Sequence, residues 1–118
     1  MPDKFGDKVR LLHVLDSIIN ITKYIGEIEY EEFAKNSMLV DACIRQLGII
    51  GEACNRISEE VKTNYDEVQW RQIIGLRNFV IHEYFGVDDK IIWDVITEHL
   101  PTLNTQTKEI LADLNEEE

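Results

Sequence analysis

The chain has 118 residues, 44% of them hydrophobic, and a formal net charge of -11 from 12 Lys and Arg against 23 Asp and Glu. A chain of this length buries one modest core, so a single domain over residues 1–118 is expected, and six glycines with two prolines suit a helical globule better than a disordered tract. Nucleic-acid binding draws most of its affinity from Lys and Arg against phosphates, so the acidic balance argues against a protein that coats RNA or DNA with its whole surface. It leaves room for a local positive pocket and favours a partner with a basic face.

From Lys8 to about Ile25, apolar residues fall at Leu11, Leu15, Ile18 and Ile25, with Leu12, Val14, Ile19 and Ile21 widening the stripe. That spacing predicts a helix closed by Gly26 in the left-handed conformation. His13 sits inside it as an exposed or hydrogen-bonded structural histidine. Residues 27–36 are short and acidic; Tyr30-Glu31-Glu32-Phe33 predicts one helical turn that pins its aromatics to the core, its glutamates forming a solvated face and not a metal site.

Ser37 to Lys62 is the longest periodic segment, with Val40, Ile44, Leu47, Cys54, Ile57 and Val61 as its seam and Cys43 and Ile50 beside it. It is expected to form one helix. Gly48 and Gly51 lie three apart in its middle, where each costs about 1 kcal/mol relative to alanine. Such a cost predicts the close approach of another helix, either the one carrying Arg77 or its copy in a second subunit. Cys43 and Cys54, eleven residues apart on this helix, would have backbones about 16 Å apart, too far for a disulfide. Neither belongs to a C-x-x-C or Cys/His cluster, so no zinc or other metal is expected.

Thr63 to Gln69 is a polar connection in which Asn64 or Asp66 is a candidate cap for the next helix. That helix carries the central stretch, residues 70–88, and should stop near Phe85-Gly86. Asp88 or Asp89 caps a further helix in which Ile92, Val95, Ile96 and His99 recur around Trp93; Trp93 and Trp70 read as core aromatics. Pro101 opens a last helix through Leu103, Ile110, Leu111 and Leu114, and residues 115–118 read as a frayed acidic tail. With no strand signal, phosphate-binding glycine loop or internal repeat, the expected fold is an all-α bundle of four to five helices, mostly antiparallel because the connections are short. No stretch approaches the roughly twenty apolar residues of a membrane span, and Met1-Pro2-Asp3-Lys4 lacks a signal-peptide pattern, so a cytoplasmic location away from membranes is expected.

The central stretch sets Arg77, Asn78, His82 and Tyr84 into an otherwise apolar helix, where each would cost free energy if buried without a partner. In helical projection Asn78 and His82, four apart, stack on each other, and Arg77 and Tyr84, seven apart, nearly do, so the four polar groups line two adjoining strips. Taken alone, an R-x-x-x-x-H spacing is a weak signal: a helical arginine usually snorkels to water and a histidine near a helix end is usually a cap.

The longer run Ile73-Ile74-Gly75-Leu76-Arg77-Asn78-Phe79-Val80-Ile81-His82-Glu83-Tyr84-Phe85-Gly86-Val87-Asp88 resembles the signature of the HepT-like toxins, a branch of the HEPN superfamily of RNases. Ile49-Ile50-Gly51-Glu52-Ala53 upstream, and Ile91-Ile92-Trp93-Asp94-Val95-Ile96 followed by Leu100-Pro101 downstream, match in the same order. The likeness spans about Arg10 to Leu111. It implies a HEPN-like homodimer with the paired motifs facing one cleft, Arg77 and His82 as the catalytic pair, and Tyr84 as the position to which a cognate MNT-type minimal nucleotidyltransferase antitoxin attaches AMP.

These residue types suit that chemistry. RNA brings its own nucleophile, the 2′-hydroxyl, so cleavage of RNA and not DNA needs neither metal nor cofactor. It needs a group that moves protons near neutral pH, which His82 would supply, and a fixed cation on the phosphate, which Arg77 would supply. Asn78 would hold the imidazole or donate to the phosphate. Glu52 has two readings, a carboxylate that orients an arginine or an amide in the site and an ordinary exposed glutamate. The expected function is therefore the toxin of a toxin–antitoxin pair, a metal-independent endoribonuclease. The alternative is a non-catalytic HEPN module that binds a nucleotidyltransferase or a nucleotide, which the acidic balance suits better.

Overall fold

The computed structural model describes residues 4–79 and 88–117. Among them the chain is all helical, with no strand. Three long helices carry the bundle: α1 (Lys4–Ile25), α3 (Ser37–Asn55) and α7 (Leu100–Glu116). Shorter ones fill between them: α2 (Tyr30–Lys35), α4 (Glu59–Asn64), α5 (Trp70–Ile74) and α6 (Asp89–Asp94). A 3-10 turn, Gly75–Arg77, follows α5, and a π-helical turn, Val95–His99, joins α6 to α7.

Helix α1 starts at Lys4, one turn earlier than its apolar periodicity indicates, and ends as expected at Gly26, whose φ of 51° is a left-handed value that a side chain would strain. Asn36 opens α3 by accepting the Leu39 amide at 3.1 Å, the side-chain capping that relieves an unpaired helix-start donor. Helices α1 and α3 run antiparallel, because Asp7 meets Ser58 at one end and Asn20 Nδ2 donates to Gln46 at the other.

The single helix expected over residues 37–62 is divided. Helix α3 stops at Asn55, and Ser58, with extended backbone, starts α4 by accepting the Val61 amide. The reason lies on α1. Asp7, 1% exposed, accepts the Ser58 amide at 2.8 Å and the Ser58 hydroxyl at 2.7 Å, so a buried carboxylate is satisfied only because the chain turns there. Charge-assisted hydrogen bonds of this kind contribute about 1.5–3 kcal/mol each. The apolar seam is unaffected by the break: Val40, Ile44, Leu47, Cys54, Ile57 and Val61 are all buried.

Other local expectations fare unevenly. Phe33 is fully buried and meets Trp93 at 5.0 Å between ring centroids, with Tyr30 6.2 Å from the same ring. Trp70 donates its indole N–H to the Tyr65 carbonyl at 3.0 Å, so both tryptophans are structural. Neither Asn64 nor Asp66 caps α5; its N-cap residue is Gln69, without a side-chain bond, while the Tyr65–Trp70 contact pins the connection instead. Asp88 does cap α6, accepting the Lys90 amide at 2.8 Å. Pro101 lies in the first turn of α7. That helix runs on to Glu116, past the expected fraying at Asn115, with Lys4 Nζ reaching Glu117 at 3.2 Å.

The segment that carries Arg77 packs against the C-terminal part of α3, where Gly51 makes room. A Cβ at position 51 would stand 2.6 Å from the Arg77 backbone nitrogen, 3.0 Å from the Ile74 carbonyl oxygen and 3.1 Å from that of Ile73. Backbone atoms cannot swing aside as a side-chain end can. Gly51→Ala should therefore destabilise the protein, the overpacking cost of about 1–3 kcal/mol outweighing the roughly 1 kcal/mol that alanine gains in a helix. A lower urea midpoint at unchanged m-value is the expected reading, and a raised midpoint would contradict the close approach.

Candidate functional site

Between Ile74 and Asn78 the backbone tightens from α to 3-10 geometry and back toward α. A 3-10 turn advances about 120° per residue where an α-helix advances 100°, so the projection of Arg77 onto later residues differs from that of one straight helix. Leu76 points into the core; Arg77 and Asn78 are exposed next to each other, and Phe79 is half-buried. His82 and Tyr84 lie outside the described residues.

Glu52 is brought to Arg77 by the same close packing. It follows Gly51 on α3, and Arg77 Nη1 donates to Glu52 Oε2 at 3.5 Å. Arg56, one turn further along α3, donates Nε to Glu52 Oε1 at 3.1 Å. One carboxylate thus holds two guanidiniums, and both stay in contact with solvent. The hydrogen bond and charge of Arg56, with a lesser contribution from Arg77, hold the Glu52 carboxyl below its ordinary range against the opposing effect of desolvation. Glu52 thus contacts an arginine of the central stretch while remaining partly exposed.

Arg56 escaped the sequence reading. The signal was present, since a glutamate four residues before an arginine on a helix is a favourable pair, but surface pairs of that kind are common enough to carry no functional weight alone. What raises its interest is the shared carboxylate, and that depends on Arg77 arriving from another helix.

A groove of about 480 Å³ opens beside this cluster between α1 and α3, lined by Val9, Arg10, His13, Ile49, Glu52 and Arg56 among others. A second cavity of about 460 Å³ lies beneath the 3-10 turn, with Gln72, Leu76, Phe79, His99 and Gln106 in its wall. His13 is exposed, one of the two states expected for it, and lines the first groove.

Among the described residues no group of three or more His, Cys, Asp or Glu side chains stands together as a metal site, and no helix is long and apolar enough to cross a membrane. Burial pushes the Cys43 thiol up to about 11 and Cys54 up to about 12, so neither is a nucleophile near neutral pH. What the described cluster offers is cationic: two exposed guanidiniums over one carboxylate leave one positive charge in excess. That is a surface for one anionic group, and a phosphodiester fits the planar fork of arginine.

Comparison with known proteins adds the following. A family model described as ribonuclease HepT-like matches residues 14–110. A Caldanaerobacter subterraneus protein named "Putative RNase" is 40% identical over 101 residues, 86% of this chain and 90% of the relative. A Methanocaldococcus jannaschii protein with the same designation is 35% identical, over 86% of this chain and 93% of the relative. A Thermococcus cleftensis protein named "Probable ribonuclease HepT" is 35% identical over 85% of this chain and 91% of its own length. No solved structure matches.

Glu52 gives a pH test of the cluster. Its folded-state carboxyl is held low, so the ion pairs stabilise the fold above the ordinary glutamate pKa of about 4.3 and that contribution is lost as pH falls through the lower folded-state value. Denaturation of wild type and Glu52→Gln between neutral and acid pH should show a difference that is constant near neutrality and shrinks at the acid end. A difference that grows on acidification would contradict the assignment.

Proposed function

For a chain that belongs to the HepT-like ribonuclease family, we propose a metal-independent endoribonuclease in which Arg77 grips the scissile phosphate and His82 moves the protons. The observation that carries this reading is the exposed Arg77 guanidinium, held on Glu52 at the start of the R-x-x-x-x-H-x-Y stretch inside the segment the family match covers. In this mechanism the 2′-oxygen attacks phosphorus, its proton passes to a neutral imidazole, and the 5′-oxygen leaves with a proton from an imidazolium. The products carry a 2′,3′-cyclic phosphate and a 5′-hydroxyl. Charge that grows on the non-bridging oxygens is met by the guanidinium, with Asn78 as a further donor.

One motif offers one histidine, whereas the reaction draws on both a base and an acid. A two-fold homodimer with two motifs in one cleft supplies both. The net charge of -11 is compatible with this chemistry because a nuclease that releases its product needs positive potential only where the phosphate sits. The acidic balance also favours the second reading, a non-catalytic module that holds a nucleotidyltransferase partner or a nucleotide through the same residues.

In this proposal the protein is the toxin of a toxin–antitoxin pair and Tyr84 is its regulatory residue. An MNT-type nucleotidyltransferase would join the Tyr84 oxygen to the α-phosphorus of ATP, with pyrophosphate leaving and the phenolic proton passing to a base. The new phosphodiester, two residues from His82, brings negative charge to the cationic site and occupies the space of the RNA phosphate.

Purified protein in the presence of EDTA should cut RNA to 2′,3′-cyclic phosphate ends and spare an RNA with a single 2′-deoxy sugar at the cut. His82→Ala and Arg77→Ala should each lower the rate by about 10²-fold or more with the fold retained by circular dichroism. Cleavage that persists at the deoxy position rules out the 2′-hydroxyl mechanism, full activity of His82→Ala removes His82 from the chemistry, and a wild type that binds its partner or a nucleotide without cutting RNA leaves the binding-module reading. Tyr84→Phe should keep cleavage while losing neutralisation by the nucleotidyltransferase; neutralisation that survives the substitution would remove Tyr84 from control.

A further inference from the structure

Glu52 connects Arg77 to the groove of about 480 Å³ between α1 and α3, because it holds the arginine while standing in the groove wall next to Arg56. A volume of that order lies within the range of ligand sites. Since Asp7 meets Ser58, Phe5 stands at the Arg56 end of the groove, and the antiparallel course of the helices puts His13 toward the Ile49 end. Val9, Ile49 and Ala53 give the space between an apolar lining. Phe5 is 78% exposed and His13 is exposed as well, so two planar rings mark the groove about 12 Å apart along the axis of α1.

These features suit a single strand of nucleic acid. Its phosphates need cations, and Arg56 gives Glu52 only its Nε, which leaves the Nη groups of a five-donor fork for a second anion. Glu52 is the only carboxylate in the described wall, and it balances one of the two guanidiniums that it holds. Arg10 in the same wall is engaged within the protomer, and the fit does not depend on it. The bases need flat contact, which the Phe5 ring offers in water and the His13 imidazole offers further along. The apolar lining between them accepts the base and sugar surface that a duplex keeps inside.

We propose that the α1–α3 groove holds the single-stranded RNA that flanks the cut, with Phe5 stacked on a base and Arg56 on the phosphate next to the one that Arg77 grips. This assignment rests on the ribonuclease reading above and extends it from one phosphate to a path for the strand. Arg56 and Arg77 are kept close together by their shared carboxylate, and the phosphates of adjoining nucleotides are anions held close together by a covalent chain. A duplex presents phosphates but no open base to Phe5, so the groove selects single strands.

The probe is a short single-stranded RNA of mixed sequence with every 2′-hydroxyl methylated, which keeps phosphates and bases but has no nucleophile. Its affinity for the full chain is measured by fluorescence anisotropy at several salt concentrations. Phe5→Ala should weaken binding about fivefold or more, the loss of one stacked base, without changing the slope of log affinity against log salt, and Phe5→Trp should restore it. Arg56→Gln should weaken binding and reduce that slope by up to about 0.7, the share of one phosphate on a single strand, whereas Arg56→Lys should keep the slope. Lys108→Gln, at an exposed cation of α7 outside the groove, should bind as wild type does, and the duplex of the same sequence should bind more weakly than the single strand.

Wild-type affinity in both Phe5→Ala and Arg56→Gln overturns the proposal, as does a slope reduced equally by Lys108→Gln or a duplex bound as tightly as the single strand. A solution mass altered by Phe5→Ala, read by sedimentation without RNA, overturns it in favour of a contact between copies of the chain. Cleavage of unmodified RNA by the same variants separates this proposal from the ribonuclease reading. A protein that binds as expected and never cuts keeps the groove and loses the ribonuclease; one that cuts as well with both substitutions as without them keeps the ribonuclease and loses the groove.

Discussion

The missing side chain at Gly51 is the constraint on which the candidate site depends. With a hydrogen in place of a methyl group, the backbone of residues 73–77 comes down onto α3 until a Cβ would touch the Arg77 nitrogen at 2.6 Å. The next residue along α3 is then within reach of the arginine side chain, and Glu52 takes it. A glycine inside a helix is unfavourable for that helix; here the cost is met by contact between two segments that no other residue permits.

The geometry also explains how so acidic a chain can present a cation. Glu52 serves both Arg56 and Arg77, which holds two flexible side chains in one place while cancelling only one of their charges. The carboxylate orients the guanidiniums and limits their repulsion, and the remaining positive charge stays at the surface. Elsewhere acidic groups dominate, so an anion would be repelled from most of the molecule and accepted in few places.

Asp7 plays the corresponding part for the frame. Its carboxylate is buried at the start of α1 and accepts two hydrogen bonds from Ser58, where the chain breaks between α3 and α4. That bond fixes the far end of α3 against α1 and, with it, the wall of the groove that contains Glu52 and Arg56. Packing at Gly51 and hydrogen bonding at Ser58 therefore hold the same helix from two sides, with the buried seam from Val40 to Val61 between them.

Local pattern determined much of this protein. The apolar spacing of Leu11 to Ile21 and of Val40 to Val61, the glycine after Ile25, Asn36 and Asp88 at helix starts and Pro101 in the first turn of α7 are short-range features, and each acts through neighbours within a few residues. The all-α class and the run around Arg77 were legible for the same reason. The break at Ser58 was not, because its cause, Asp7, lies 51 residues away in the chain. Arg56 was not, because an i, i+4 pair gains meaning only when a third group arrives from another helix. The tight turn at Gly75–Arg77 was missed as well, since periodicity assumes one helical pitch throughout. Sequence alone thus set most of the helical segments and the family resemblance, as both follow from side-chain type and spacing. Which charges share a partner was decided by tertiary packing, because distances between helices are fixed by what fits between them.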